Sequence, residues 1–149
     1  MSLFNTIDTA ASGMTAERMR MDVISDNLAN ANTTRTEDGG PYMRKVVRLE
    51  PRQDEKSGML PDVSIDGFSS QHPGNGVRVV GIEQAEGKPR RVFRPNHPDA
   101  NEEGYLKMPN VEPTKEMVDM ITASRAFTAN TKAIKTAKGM FNQALQIMR

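Results

Sequence analysis

Along the start of the chain, apolar and small side chains return in steps of four and three, at Leu3, Ile7, Ala10, Met14, Met21, Ile24, Leu28 and Ala31. Glu17 fills the one missing slot. Such a repeat places its residues on one narrow line of a helix, the pattern of a helix that lies along another helix. The spacing predicts a single helix over residues 2–32, about 45 Å long.

A second stripe occupies the other end of the chain. Pro113 and a plausible N-cap, Thr114, introduce a helix predicted over residues 114–148, about 50 Å long. Its apolar positions are Met117, Met120, Ile121, Phe127, Ile134, Ala137, Phe141, Leu145 and Met148, with Ser124 and Thr131 in the same stripe. Glu116 and Asp119 come early and Lys132, Lys135 and Lys138 late, an order that complements the helix dipole.

Two features punctuate the first helix. Gly13, after Ser12, costs roughly 1 kcal/mol relative to alanine. It marks either a kink or the close approach of a neighbouring helix, which a missing Cβ permits. Asn27, Asn30 and Asn32 crowd the helix end. They either stop the helix through left-handed backbone or bond to adjacent subunits through their amides.

Between the helices, residues 33–41 read as a polar turn. Strand signals follow at 42–49 and 76–82, with shorter ones at 92–93 and 105–108. Residues 50–75 hold Pro51, Gly58, Pro61, Gly67, Pro73 and Gly74, which punctuate loops. A few short strands are marginal alone, so this module is expected to pack on the helices or on neighbours. The expected fold is mainly α with a small β insertion, its two long terminal helices paired as an antiparallel coiled coil. Three parts follow: residues 1–33, 34–112 and 113–149.

Composition turns this architecture towards assembly. Only 36% of residues are apolar and 5% aromatic, with no Trp, which is thin material for a private core. Net charge is +1, so no strong overall field points to nucleic acid or a membrane. The ends differ in sign. Residues 1–33 hold four acids and two bases, and residues 114–149 hold six bases and two acids. The absence of Cys excludes disulfides and zinc–thiolate sites. No apolar run reaches the roughly 18 residues of a membrane span. The opening residues lack the basic start and apolar run of a cleavable signal peptide, so any export is expected to take another route.

Chemical sites fare poorly. His72 and His97 each precede a proline, as turn residues do. Residues 99–104 mimic the opening of a calcium loop, but Asn110 stands where the closing bidentate glutamate belongs. Gly74-Asn75-Gly76 lacks the spacing of a phosphate loop. Arg125, Lys132, Lys135 and Lys138 lack interleaved aromatics and read as a solvated or pairing face, not a nucleic-acid stripe. No catalytic, metal or cofactor site is expected, and the chain does not read as an enzyme.

Residues 12–33, above all Asn27-Leu28-Ala29-Asn30-Ala31-Asn32-Thr33, resemble the N-terminal signature of the flagellar rod and hook axial protein family. Glu116 to Ile121, with Ser124-Arg125-Ala126-Phe127 and Asn130, resemble that family's C-terminal helix. Tyr42 with Arg44-Lys45-Val46-Val47, and residues 76–82, 96–100 and 105–110, resemble its short proximal-rod members. Residues 52–70 have no counterpart in the resemblance. After Thr33, hook and distal-rod members continue towards Gly-Phe-Lys, whereas this chain runs on through Thr34-Arg35-Thr36-Glu37-Asp38.

The resemblance implies a structural subunit whose terminal helices pack into a tube wall around an export channel, with the β module outside. It implies export through the flagellar type III apparatus. The implied partners are further copies, the proximal rod proteins FlgB and FlgF, and the distal rod protein. The residues expected to build the assembly are Leu3, Ile7, Met14, Met21, Ile24 and Leu28 with Asn27, Asn30 and Asn32. Met117, Met120, Phe127, Ile134, Phe141 and Leu145 are expected to meet them. A different position in the rod, or a cytoplasmic helical adaptor, are the alternative readings.

Overall fold

The computed structural model describes residues 3–37, 39–52 and 75–147. The order of elements is α1 (Leu3–Ala29), β1 (Lys45–Pro51), β2 (Val77–Gln84), β3 (Arg90–Phe93), β4 (Tyr105–Met108) and α2 (Pro113–Ile147). Most of the loop expected over 50–75, with His72 and the unassigned residues 53–70, lies outside the described residues, as does Met148.

The two helices run antiparallel. Asn27 meets Glu116 at one end of the pair, and Met14 Sδ accepts a hydrogen bond from Thr131 Oγ1 at 3.8 Å further along. α1 is continuous through Ser12-Gly13, so the glycine is not a break. A Cβ on Gly13 would lie 2.8 Å from Asn130 Nδ2 on α2. The glycine is therefore a point of close approach.

The line of contact between the helices is built on small residues. On α2 the heptad line is Glu116, Ala123, Asn130 and Ala137, of which Glu116, Ala123 and Ala137 are buried. On α1, Ala10 and Ile24 of the matching line are buried, and so is Ala31 just past the helix end. Met14, Met21, Leu28, Met120, Phe127 and Ile134 flank these lines and are half-buried. Small side chains let helix backbones approach closely, which pushes the long side chains to the margins.

Both helix boundaries depart from expectation. α1 stops at Ala29, three residues short of 32. No non-glycine residue adopts positive φ among the described residues, so left-handed asparagine does not stop it. Instead the Asn30 amide donates to the Asp26 carbonyl at 3.0 Å, and the chain tightens through Ala31 N–H to the Leu28 carbonyl. α2 starts at Pro113, not after it. Proline at the first helical position wastes no hydrogen bond. The Glu112 carbonyl accepts the first bond, from the Glu116 N–H, and Thr114 lies inside the helix.

The strands form two separate two-stranded sheets. β1 pairs antiparallel with β2, from Lys45 opposite Gln84 to Pro51 opposite Val77, with a bulge at Arg48/Leu49. β3 pairs antiparallel with β4, Arg90 opposite Met108. β1 begins three residues later than the sequence signal at Tyr42, because Tyr42 N–H goes to the Thr33 carbonyl and Arg44 N–H to Asn110 Oδ1.

The β1–β2 sheet lies against α1. Ser12 makes one anchor: its hydroxyl donates to the Thr9 carbonyl and accepts from Val77 N–H at 3.1 Å. Gly76 has φ +97°, and a Cβ there would collide with Ser12 Oγ. Two adjacent residues of α1 thus serve two partners, Ser12 the sheet and Gly13 the second helix. In the second sheet, β4 alternates exposed and buried, turning Leu106 and Met108 inward.

Candidate assembly interface

At the Asn27 end, α1, α2 and the start of β1 converge on a buried polar node. Asn27 is 1% exposed and Glu116 is fully buried. The Asn27 amide donates to the Lys45 carbonyl at 2.8 Å and to Glu116 Oε2 at 3.1 Å. Its Oδ1 accepts from Lys45 N–H and the Tyr42 hydroxyl, both at 2.9 Å. An asparagine side chain offers two donors and an acceptor with two lone pairs, so Asn27 is fully satisfied inside the protomer.

Arg44 completes the node. Its Nε donates to Glu116 Oε1 at 2.5 Å, and its Nη2 lies 3.5 Å from Asp119. Tyr42 also reaches Asp26 Oδ2 at 3.1 Å, where Lys45 Nζ binds at 3.0 Å. The hydrogen bond from Lys45 holds the Asp26 carboxyl below its usual range, against the effect of burial. Burial, with the Asp26 carboxylate beside it, pushes the Tyr42 hydroxyl well above the ordinary phenol range. Tyr42 therefore stays a neutral donor. An open cleft of about 270 Å³ adjoins the node, lined by Val23, Ile24, Val46 and Val47 among others.

The other asparagines differ. Asn30 is partly buried, bonds Asp26 and accepts from the Thr33 hydroxyl, closing the helix. Asn32 is exposed.

Of the remaining residues expected to build the assembly, Ile24 is buried at 4% exposure. Ile7, Met14, Met21, Leu28, Met120, Phe127 and Ile134 are half-buried. Leu3 is helical, but its side chain lies outside the described residues. Met117, Phe141 and Leu145 are 48%, 43% and 49% exposed. Met117 faces outward because Glu116, satisfied by Arg44 and Asn27, holds the inward position one residue earlier. Met19, Val118, Ile121 and Met140 add to the exposed apolar surface.

Sequence reasoning did not single out Glu116, Arg44 and Tyr42 as one unit. It also passed over Ala16, Val23 and Ala123. Ser12, Ala16, Val23 and Asn27 share one face of α1, distinct from the seam with α2. That spacing was the available signal for a second buried face.

The residues mimicking a calcium loop form the turn between β3 and β4. Asn101 Oδ1 accepts from Tyr105 N–H at 2.7 Å, and Asp99 accepts from the Thr34 hydroxyl at 2.7 Å. The opposite charge of the two ends is not expressed as direct pairing. Among the described residues no ion pair joins α1 to α2; both reach basic residues of the β region instead, through Arg44, Lys45 and Arg52.

Comparison with known proteins fits this architecture. Residues 7–35 match the family described as flagella basal body rod protein. Residues 102–147 match the flagellar basal body rod FlgEFG protein C-terminal family. The flagellar basal-body rod protein FlgC of Borreliella burgdorferi is 43% identical, covering 100% of this chain and 99% of its own. The FlgC proteins of Bacillus subtilis and Salmonella typhimurium are 42% and 33% identical, each over 99% of this chain. Those matches span both terminal helices and the β region between them, and the chain belongs to the FlgC family of flagellar basal-body rod proteins, structural subunits and not enzymes.

Proposed function

We propose that the chain polymerises through its two terminal helices, acting as a coiled-coil pair, into the proximal part of the flagellar rod. There it transmits torque and helps enclose the export channel. Residues 1–33 and 113–149 form the tube wall, and residues 34–112 lie outside it. The subunit leaves the cell through the flagellar type III apparatus without a cleaved signal and crosses the periplasm as part of the rod. Its neighbours are further copies, FlgB, FlgF and, beyond them, the distal rod protein. Torque resistance then comes from many repeated contacts and from no single strong one.

One observation carries this reading. After α1 and α2 have paired, α2 still exposes Met117, Val118 and Ile121 at 48%, 57% and 54%, turned away from the buried line. Three large apolar side chains clustered on one helix face mark a surface that assembly covers.

The test is incorporation into basal bodies. Ile121→Asp leaves the protomer folded, because the side chain is exposed, and it is expected to abolish incorporation. Ile24→Asp and Phe127→Asp block incorporation as well, Ile24→Asp by first disrupting the protomer's own packing. Normal rods containing Ile121→Asp would overturn the proposal.

A further inference from the structure

Asn75 and Gly76 lie where the β1–β2 sheet is seated on α1. Asn75 alone among the chain's asparagines precedes a glycine. An asparagine can lose ammonia by ring closure: the backbone nitrogen of the next residue attacks the side-chain Cγ and a five-membered imide forms. Both groups belong to one chain, so the encounter is intramolecular. The side chain of the following residue normally hinders the attack, and glycine has none.

The fold keeps this pair in place. Gly76 has φ +97°, and a Cβ there would meet Ser12 Oγ and, at 3.3 Å, the Thr9 Cα. Any other residue would lift the sheet from α1, so packing fixes the glycine. The Gly76 N–H makes no hydrogen bond among the described residues, whereas the next N–H, of Val77, is held by Ser12 Oγ. The attacking nitrogen is therefore not tied up. Asn5, in the first turn of α1, donates from Nδ2 to Asn75 Oδ1 at 3.5 Å. That donor faces the oxygen on which negative charge builds as Cγ becomes tetrahedral. Asn75 is half-buried, so water reaches it for the hydrolysis that follows.

We infer that Asn75 is a self-modifying site whose amide converts to a carboxylate without an enzyme. Hydroxide takes the Gly76 N–H proton and the nitrogen bonds to Cγ. The Cγ–Nδ2 bond then breaks, and Nδ2 leaves as ammonia with a proton from water. Water adds to either imide carbonyl and opens the ring. Opening at Cγ gives an aspartyl residue, and opening at the backbone carbonyl gives an isoaspartyl one. Net, one water is consumed and a carboxylate and ammonium are formed. Both products place a negative charge beside the first turn of α1, which carries no acidic side chain and whose end of the helix dipole favours one. The isoaspartyl product also adds one carbon to the backbone just ahead of Val77, the residue held by Ser12, and so loosens the sheet on α1. The inference is independent of the rod reading.

The full chain is purified, held folded at mildly alkaline and at mildly acidic pH, and digested with trypsin beside an unaged sample that sets the background. The peptide from Ser57 to Arg78 contains Asn75 and no other asparagine. In the alkaline sample it is expected to gain the mass of an amide-to-acid exchange, placed at residue 75 by fragmentation, about tenfold faster than any other asparagine converts. The rate falls at acidic pH, where less hydroxide is present to take the N–H proton. The product separates into aspartyl and isoaspartyl forms. Asn75→Gln, whose ring closure needs a six-membered imide, stays unmodified over the same period. Conversion no faster than at other asparagines, a rate independent of pH, or conversion only after unfolding in urea would overturn the site. The structural consequence has its own readout. Hydrogen exchange at the Val77 N–H is expected to quicken in the aged chain and not in aged Asn75→Gln, and equal exchange in the two would overturn the loosening of the sheet.

Discussion

Asn27 shows how a signature residue works at the scale of a single side chain. It bridges α1 to the backbone of β1 on both sides of Lys45, and to α2 through Glu116. A buried amide so placed is costly to remove, since its partners lose their bonds without gaining water. Asn27→Ala is expected to destabilise the protomer by about 3 kcal/mol, read as a lower urea midpoint. A cost below about 0.5 kcal/mol would mean that water or a neighbour replaces the amide readily. The adjacent Asp26 gives a pH signature. Its carboxyl pKa is lowered by Lys45, so the folded state binds this proton less readily than the unfolded chain. The stabilisation is present above the unfolded carboxyl value, about pH 4, and is lost as pH falls through the folded value. Asp26 is partly exposed, so the contribution is under about 1 kcal/mol. Lys45→Met is expected to shrink the loss of thermal stability between about pH 5 and about pH 3. An unchanged pH profile in that variant would remove Lys45 as the cause.

At the scale of elements, α1 is a helix with two buried faces. One meets α2 through Ala10, Gly13 and Ile24, and the other meets the β1–β2 sheet through Ser12 and Asn27. Glu17 sits on the seam line, with only 15% of its side chain exposed, and its contact with Arg20 is a long 3.5 Å. Its Oε2 has no hydrogen-bond partner among the described residues. A buried carboxylate so weakly compensated is replaced favourably by an apolar residue of similar size. Glu17→Leu is expected to raise the stability of the isolated protomer by about 1 kcal/mol. A destabilised Glu17→Leu protomer would show that the carboxylate is better satisfied than its geometry indicates. The helices and all four strands were legible in the sequence because periodicity and turn residues report local preference directly. The node was not, because Arg44, Glu116 and Asn27 are distant along the chain. Glu116 reads as an ordinary first-turn acid until Arg44 is brought beside it. Likewise Met117 looked like a seam residue from its apolar character alone. Which of two adjacent residues faces inward was decided by a polar partner from β1.

Across the whole molecule, order is unevenly distributed along the helix pair. The buried polar node, Ile24 and Val111 lie at the Asn27 end, whereas Met140, Phe141 and Leu145 near the far end of α2 stay exposed. α2 is eight residues longer than α1, so its last turns run past the point where α1 begins. A helix with a thin seam draws most of its stability from tertiary packing and frays where that packing ends. The free subunit is therefore expected to be firm around the node and loose at the far end, and assembly then orders the far end by covering it. Limited trypsin digestion of the monomer tests this, with the fragments weighed by mass spectrometry. Cleavage is expected first at Lys138, Lys135 and Lys132, later at Arg18 and Arg20, with Arg44 and Lys45 protected by their bonds to Glu116 and Asp26. Resistance at every site in α2 would mean that the protomer is self-contained, and folding on assembly would be wrong. First cleavage at Arg44 or Lys45 would reverse the gradient, placing the loose end at the node and the firm end where the apolar side chains are exposed.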